Sequence, residues 1–328
     1  MSGPRVFVAR RLPGDALERL AEQTAMRLWE GELPPPRETL LAEAREAAGL
    51  LTLLTDRVDA ELLGIAPRLR AVSNMAVGFD NIDVPACTAR GILVGNTPGV
   101  LTDTTADFAF ALLMAAARRV VAGDAFTRAG KWQTWDPGLL LGVDVHHATI
   151  GIAGMGQIGQ AVARRAHGFD MRILYTDAIP RPEIEAATGA RRMDLETLLR
   201  ESDFVTLHVP LTAETRGLIG AAQLAMMKPD AVLINTSRGP VVDQRALAAA
   251  LAQGRPGMAA LDVTDPEPIA MDDPLLALPN VIIVPHIASG SRATREQMAD
   301  MAVDNLLAGL RGERPPNCVN PEALERQT

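Results

Sequence analysis

At 328 residues the chain is long enough for about two domains, and its 48% hydrophobic residues suffice for two buried cores. A formal charge of −8 argues against nucleic-acid and anionic-membrane partners. Cys87 and Cys318 are too few for a disulfide framework and lack metal-ligand spacing, so a reducing, cytoplasmic setting with no bound metal is expected.

The N-terminal MSGPRVFVARRLPGD lacks the apolar run of a signal peptide. Strand-like runs at 5–9, 49–54, 69–75 and 92–94 alternate with helical patterns at 15–22, 37–48 and 83–90. Such alternation predicts βαβ units and a mostly parallel sheet. After Asn96-Thr97-Pro98-Gly99 comes a long apolar helix over 104–121, whose run 108–117 is too short to cross a bilayer. A turn-rich segment, 130–144, follows. A second series then begins, with strands at 149–153, 172–176, 204–208, 231–235, 258–263 and 281–284. Six strands with intervening helices make one doubly wound sheet. A last helix is expected at 292–310, and the polar ERPPNCVNPEALERQT that ends the chain is expected on the surface.

The second series opens on a fingerprint. Gly154-Met155-Gly156-Gln157-Ile158-Gly159 follows a strand and opens a helix read from 160 to 166. In that context a GxGxxG reads as a dinucleotide-binding turn, with pyrophosphate at the helix N-terminus. The next strand ends at Asp177, placed to accept hydrogen bonds from ribose hydroxyls and to repel a 2′-phosphate. No Arg directly follows it, so NAD is preferred over NADP, with NADH favoured over NADPH. Reduction of a 2-oxo acid by such a cofactor further requires a proton donor, a carboxylate to tune it, and a cation for the substrate. Three residues of those types stand just beyond three successive strands: Arg238 in Asn235-Thr236-Ser237-Arg238-Gly239, Glu267 in the DVTDPEP segment, and His286 in PHIAS. Taken singly, each could be an ordinary loop residue. The adjacent His146 and His147 read as a polar loop whose rings point apart, and His167 and His208 as structural or cofactor-adjacent.

The pieces GMGQIG, NTSRG, DVTDPEP and PHIAS together resemble the D-isomer-specific 2-hydroxyacid dehydrogenase family over nearly the full length, and within it the glyoxylate/hydroxypyruvate reductases. The resemblance implies a Rossmann cofactor domain, 99–289, inserted into a flavodoxin-like substrate domain, 1–98 with 290–328. It implies that His286 is the acid–base residue, Glu267 its partner and Arg238 the substrate binder. Backbone N–H groups of Val77 and Gly78 would hold the carboxylate, Leu53 and Leu54 would line a small pocket, and Ser289 would touch substrate. Asp262, Pro210, Thr215, Thr236, Ser237 and Ala288 would join the glycine motif around the cofactor. The partners implied are a small 2-oxo or 2-hydroxy acid and a second copy of the chain, with the 104–121 helix at the dimer interface and Trp135 either packing or reaching the neighbour's site. Rival readings within the fold are dehydrogenases for D-lactate, 2-ketogluconate, 3-phosphoglycerate or phosphite, and outside enzymology an NAD(H)-sensing binding protein. Val77 stands where a phosphite enzyme would carry Lys, and the sequence shows no added basic residues near the loop of the kind a phosphoglycerate enzyme would favour.

Overall fold

The computed structural model describes residues 3–326. The chain divides into two compact units, one formed by the residues up to Leu101 with those from Gly290 onward, the other by Thr102–Ser289. Each is built on a parallel sheet.

In the first unit β1 (Arg5–Val8), α1 (Ala16–Gln23), β2 (Ala25–Leu28), α2 (Arg37–Ala44), β3 (Gly49–Thr52), α3 (Ala60–Ile65), β4 (Ala71–Asn74), α4 (Val84–Ala89) and β5 (Leu93–Gly95) follow in order. The sheet runs β2-β1-β3-β4-β5. Strands β3, β4 and β5 are buried on both faces, so they do not alternate apolar with exposed polar residues, and β4 ends in the buried polar pair Ser73 and Asn74. Strand β2 was not expected: its Ala-Met-Arg-Leu is nowhere fully buried at the sheet edge, so it carries no apolar run to recognise. The short helix α3 was also missed, although Asp59 caps it by accepting from the Leu62 N–H at 3.1 Å.

The second unit opens with α5 (Thr102–Ala117) and α6 (Val120–Arg128), two helices where one was expected. Arg119 sits at φ 52°, a left-handed conformation that no continuous helix contains. Ala109, Phe110, Leu113 and Ala116 of α5 are buried in this unit's own core. The apolar run therefore needs no partner subunit to explain it. Then come β6 (Thr149–Ala153), α7 (Gln157–Gly168), β7 (Arg172–Thr176), α8 (Pro182–Thr188), β8 (Arg191–Arg192), α9 (Leu195–Glu201), β9 (Phe204–Leu207), α10 (Ala221–Met226), β10 (Val232–Asn235), α11 (Gln244–Ala252), β11 (Met258–Leu261) and β12 (Val281–Ile283). The order is β12-β11-β10-β9-β6-β7-β8, seven strands rather than six, since the two-residue β8 has no sequence signature.

The chain returns to the first unit through α12 (Arg292–Leu310), which packs with α1 on one face of that sheet. Arg19 of α1 pairs with Asp300 and Asp304 of α12, each at 2.8 Å. The C-terminal tail lies mostly at the surface, as expected, but is anchored by a few buried residues. Asn320 is fully buried, accepts from the Val94 N–H and donates to the Ile92 carbonyl, while the Val319 N–H donates to the Val94 carbonyl. Among the described residues no helix is long and apolar enough to cross a membrane.

Candidate active site

In the second unit the loops that leave the strands at their carboxyl ends carry the predicted groups. Gly154 lies at φ 93°, and a Cβ there would strike the His208 carbonyl at 2.6 Å. A Cβ on Gly159 would lie 2.1 Å from the Gly154 oxygen, so glycine alone lets α7 close on β6. A Cβ on Gly156 would meet nothing within 4 Å, which leaves open space in front of the helix N-terminus. Helix α7 starts at Gln157, three residues earlier than expected. Met155 is buried in the core, Ile158 packs partly against it, and Gln157 Oε1 accepts from Thr102 at 3.3 Å. What Gln157 and Ile158 can offer a ligand is backbone N–H, while the Met155 N–H is already engaged by Asp177. Asp177 stands at the mouth of the motif, one carboxylate oxygen accepting from the Met155 N–H at 2.6 Å and the other from the Ile179 N–H at 2.9 Å.

Two buried polar atoms at the carboxyl ends of β9 and β10, His208 Nδ1 and Thr236 Oγ1, have no hydrogen-bond partner among the described residues. Buried polar atoms without partners are rare in a finished fold, and these two sit at the strand ends where a doubly wound sheet collects its ligand. His208 Nε2 lies 2.9 Å from Thr206 Oγ1, and burial pushes the imidazole down to about 4, so it is neutral. The open cradle at Gly156 and the two orphaned atoms fit a dinucleotide. Farther along the rim, Thr215 Oγ1 donates to the Pro210 carbonyl at 2.5 Å and shapes that exposed turn.

The structure brings Glu267 and His286 together. His286 Nδ1 and Glu267 Oε1 are 2.5 Å apart, with the side chains 27% and 39% exposed. His286 has φ 52°, a backbone strain that surrounding bonds must hold. They do: its N–H donates to the Asp262 carbonyl at 2.9 Å, and the buried Asp262 carboxylate accepts from the N–H groups of Ile287 and Ala288 at 2.7 and 2.9 Å. Burial raises the Asp262 pKa while those two N–H groups hold it down. Asp262 thus braces the loop that carries His286, and Ser289 ends that loop half-buried. The Arg238 turn is built in a similar way. Buried Asn235 donates from Nδ2 to the Arg238 carbonyl at 2.9 Å, and its Oδ1 accepts from the N–H and hydroxyl of Ser237 at 3.0 and 2.7 Å. A Cβ on Gly239 would lie 1.9 Å from the Thr264 oxygen, so the turn lies directly against the loop after β11. Asn235 was quoted within its motif but not singled out as the residue that shapes it.

The first unit holds its predicted residues by a separate polar network. Asn74 Nδ2 donates to the Gly78 carbonyl at 3.0 Å, and Asn96 Nδ2 to the Val77 carbonyl at 2.8 Å. With those carbonyls turned inward, the N–H groups of Val77 and Gly78 donate to no acceptor among the described residues. Paired free N–H groups form an anion cradle. Asn81 Nδ2 donates to the carbonyls of Leu53 and Asp56, and the Leu53 N–H donates to the buried Asp56 carboxylate at 2.8 Å, which fixes the Leu53–Leu54 turn. Burial raises the Asp56 pKa. The sequence reading missed Asn74, Asn81 and Asn96. Asn74 ends a buried strand and Asn96 directly follows one, the visible signal for those two, while Asn81 lies in a loop and carries none.

Trp135 is 79% exposed, far from the packing role that was one of its two readings. His146 and His147 do not point apart: they share a turn with ring centroids 5.1 Å apart, edge to face, because His147 adopts φ 61°.

Residues 110–288 match the NAD binding domain of the D-isomer specific 2-hydroxyacid dehydrogenases. The chain belongs to that family. A glyoxylate reductase of Korarchaeum cryptofilum is 55% identical over 323 residues, covering 98% of this chain and 97% of the relative. A crystal structure from Thermus thermophilus is 48% identical with a TM-score of 0.90, covering 96% of this chain and 99% of that one. The NADPH-dependent glyoxylate/hydroxypyruvate reductase of Sinorhizobium meliloti, solved with NADP and malonate, is 33% identical with a TM-score of 0.86, and 98% of each chain is covered.

Proposed function

We propose that this dehydrogenase reduces glyoxylate, and hydroxypyruvate with it, using NADH, and forms the D-isomer where the product is chiral. The observation that carries the reading is the His286–Glu267 pair beside the Arg238 turn, on loops leaving neighbouring strands of the dinucleotide-binding sheet. When bound, the nicotinamide supplies the hydride for C2 of the acid. His286 delivers the proton. Glu267 engages Nδ1, which leaves Nε2 as the atom that donates to the carbonyl oxygen in reduction and takes the proton back in oxidation. The carboxylate also stabilises the imidazolium before it discharges. Arg238 pairs the substrate carboxylate and polarises the carbonyl, tasks suited to a planar cation with several donors. Val77 and Gly78 hold the carboxylate by backbone N–H, Leu53 and Leu54 wall the small side of the substrate, and Ser289 offers a hydroxyl to it.

The residues around Gly154, Gly156 and Gly159, with Pro210, Thr215, Thr236, Ser237, Asp262 and Ala288, hold the dinucleotide. Preference for NADH rests on Asp177, whose carboxylate faces the motif and repels a 2′-phosphate. The nearby Arg192 guanidinium is committed to the carbonyls of Asp177 and Ala178. A homodimer is proposed from the exposed apolar side chains of α6 and the segment after it, including Val120, Trp132, Trp135 and Leu141. In that assembly Trp135 reaches the neighbour's site.

The test is NADH and NADPH oxidation by the purified chain with glyoxylate, hydroxypyruvate, pyruvate and 2-ketogluconate. The expected result is highest kcat/KM for glyoxylate or hydroxypyruvate with NADH. A preference for NADPH would overturn the role of Asp177 alone, and silence with every acid would overturn the reading as a reductase.

A further inference from the structure

The loops that carry His286 and Arg238 each rest on a side chain that bonds their backbone, Asp262 and Asn235. Glu267 stands on a longer and wetter loop, in which every residue from Asp265 to Pro268 is exposed. Its two neighbours in the chain are Pro266 and Pro268, which have no N–H to give. Thr264 Oγ1 donates to the Pro266 carbonyl at 2.8 Å, a bond within the base of the loop, and Ile269 packs partly against the core. Among the described residues, the Asp265 N–H is the one backbone group of 265–272 that bonds beyond 264–273. Its acceptor is Gln244 Oε1, at 2.8 Å.

Gln244 is the first residue of α11 and is half-buried. The same amide makes a second bond. Its Nε2 donates to Asp273 Oδ2 at 2.7 Å, and Asp273 Oδ1 accepts from the N–H of Leu275, a fully buried residue in the single turn Pro274–Ala277. Asp265 and Asp273 are the two feet of the Glu267 loop, and one side chain ties both to α11. Accepting from an N–H while donating to a carboxylate is what an amide does; a glutamate there would set two carboxylates together, and an aliphatic residue would do neither. The Arg238 turn rests on the same foot, since a Cβ on Gly239 would lie 2.9 Å from the Asp265 nitrogen. The tie matters because the Glu267–His286 pair is partly exposed, at 39% and 27%. A pair in contact with water gains little unless its geometry is held for it. We infer that Gln244 is a positioning residue for the reaction, holding Glu267 against His286 Nδ1 and both beside the Arg238 turn. The inference rests on the reductase reading, in which Glu267 orients and tunes His286.

The experiment places Gln244→Ala in wild type and in Glu267→Gln, and reads kcat and KM for glyoxylate reduction. The His286 imidazole is titrated by NMR in each protein, its signal assigned by its absence from His286→Ala. In wild type, Gln244→Ala is expected to lower kcat about tenfold, a part of what a general acid–base pair contributes, with the NADH KM unchanged. In Glu267→Gln the same substitution is expected to cost less than about twofold, because residues that act through one another are not additive. The imidazole titration should move down in Gln244→Ala, toward its position in Glu267→Gln, since a facing carboxylate favours the imidazolium. Asp262, the other carboxylate whose charge reaches His286, is present in all four proteins. The exchange Gln244→Glu with Asp273→Asn restores both bonds with donor and acceptor reversed, and should bring kcat back to within about threefold of wild type, whereas Gln244→Glu alone should not. Equal losses in the two backgrounds with an unmoved titration would overturn the inference and leave Gln244 a stabilising residue only. An exchange variant as impaired as Gln244→Glu alone would overturn it as well. Wild-type kcat in Glu267→Gln, or no turnover with any acid, would defeat the reductase reading instead. NMR would then still decide Gln244: a titration that Gln244→Ala leaves in place overturns its role.

Discussion

The two sheets solve the same problem with different chemistry. Both are parallel and both present their working loops at the carboxyl ends of strands. The second unit presents side chains, a histidine, a glutamate and an arginine, each delivered by its own strand, and two of them ride on loops held by a neighbour that bonds backbone, Asp262 under His286 and Asn235 under Arg238. The first unit works with backbone. Its cradle is two N–H groups, and the side chains that matter, Asn74, Asn81 and Asn96, act by turning carbonyls away. Side-chain sites should therefore fail by loss of chemistry, and the backbone site by loss of position.

The largest effect is expected at Arg238. Arg238→Gln should lower kcat/KM for glyoxylate roughly 10³-fold, as when one partner of a desolvated ion pair is removed, with NADH affinity unchanged in a fluorescence titration. Glu267→Gln should cost about 10²-fold in kcat, within the span of a general acid–base contribution, and flatten the pH–rate profile that wild type shows. Asp177→Ala should raise the NADPH to NADH ratio of kcat/KM by about tenfold, the worth of one charge-assisted contact. A ratio that does not move removes Asp177 from cofactor choice. On the backbone side, Asn81→Ala should raise the glyoxylate KM several-fold with kcat nearly constant, and Asn81→Asp should not restore it, because two carbonyls need a donor. An equal fall in kcat would mean that the two regions do not differ as argued.

The smallest effect concerns stability. His208 is buried neutral at about 4 in the fold, below its ordinary 6.5. Between those values the unfolded chain binds more protons than the folded one, so stability falls as pH drops from 6.5 toward 4. His208→Gln should remove that slope from denaturant midpoints measured across the window, and a slope that persists would assign the acid sensitivity elsewhere.

The same contrast explains what could be read from residues alone. Six strands of the second sheet, the glycine turn and the loops that carry Arg238, Glu267 and His286 were legible, because buried parallel strands are mostly apolar and side-chain chemistry is carried by residue type. The helix break at Arg119 was not, since neither flanking residue is a helix breaker and the left-handed turn has no residue type that marks it. Strand β2 and the buried anchor at Asn320 were hidden because one is an edge and the other is polar by composition. The Val77–Gly78 cradle entered only through family resemblance: a backbone N–H has no letter in the sequence.

The most direct measurement of the central claim uses one sample of His286→Ala, with NADH binding followed by fluorescence and glyoxylate reduction by absorbance. The account predicts wild-type cofactor affinity with turnover down by roughly 10³-fold, toward the upper end of what a positioned proton donor contributes. Turnover within a few-fold of wild type, with cofactor bound, would contradict it.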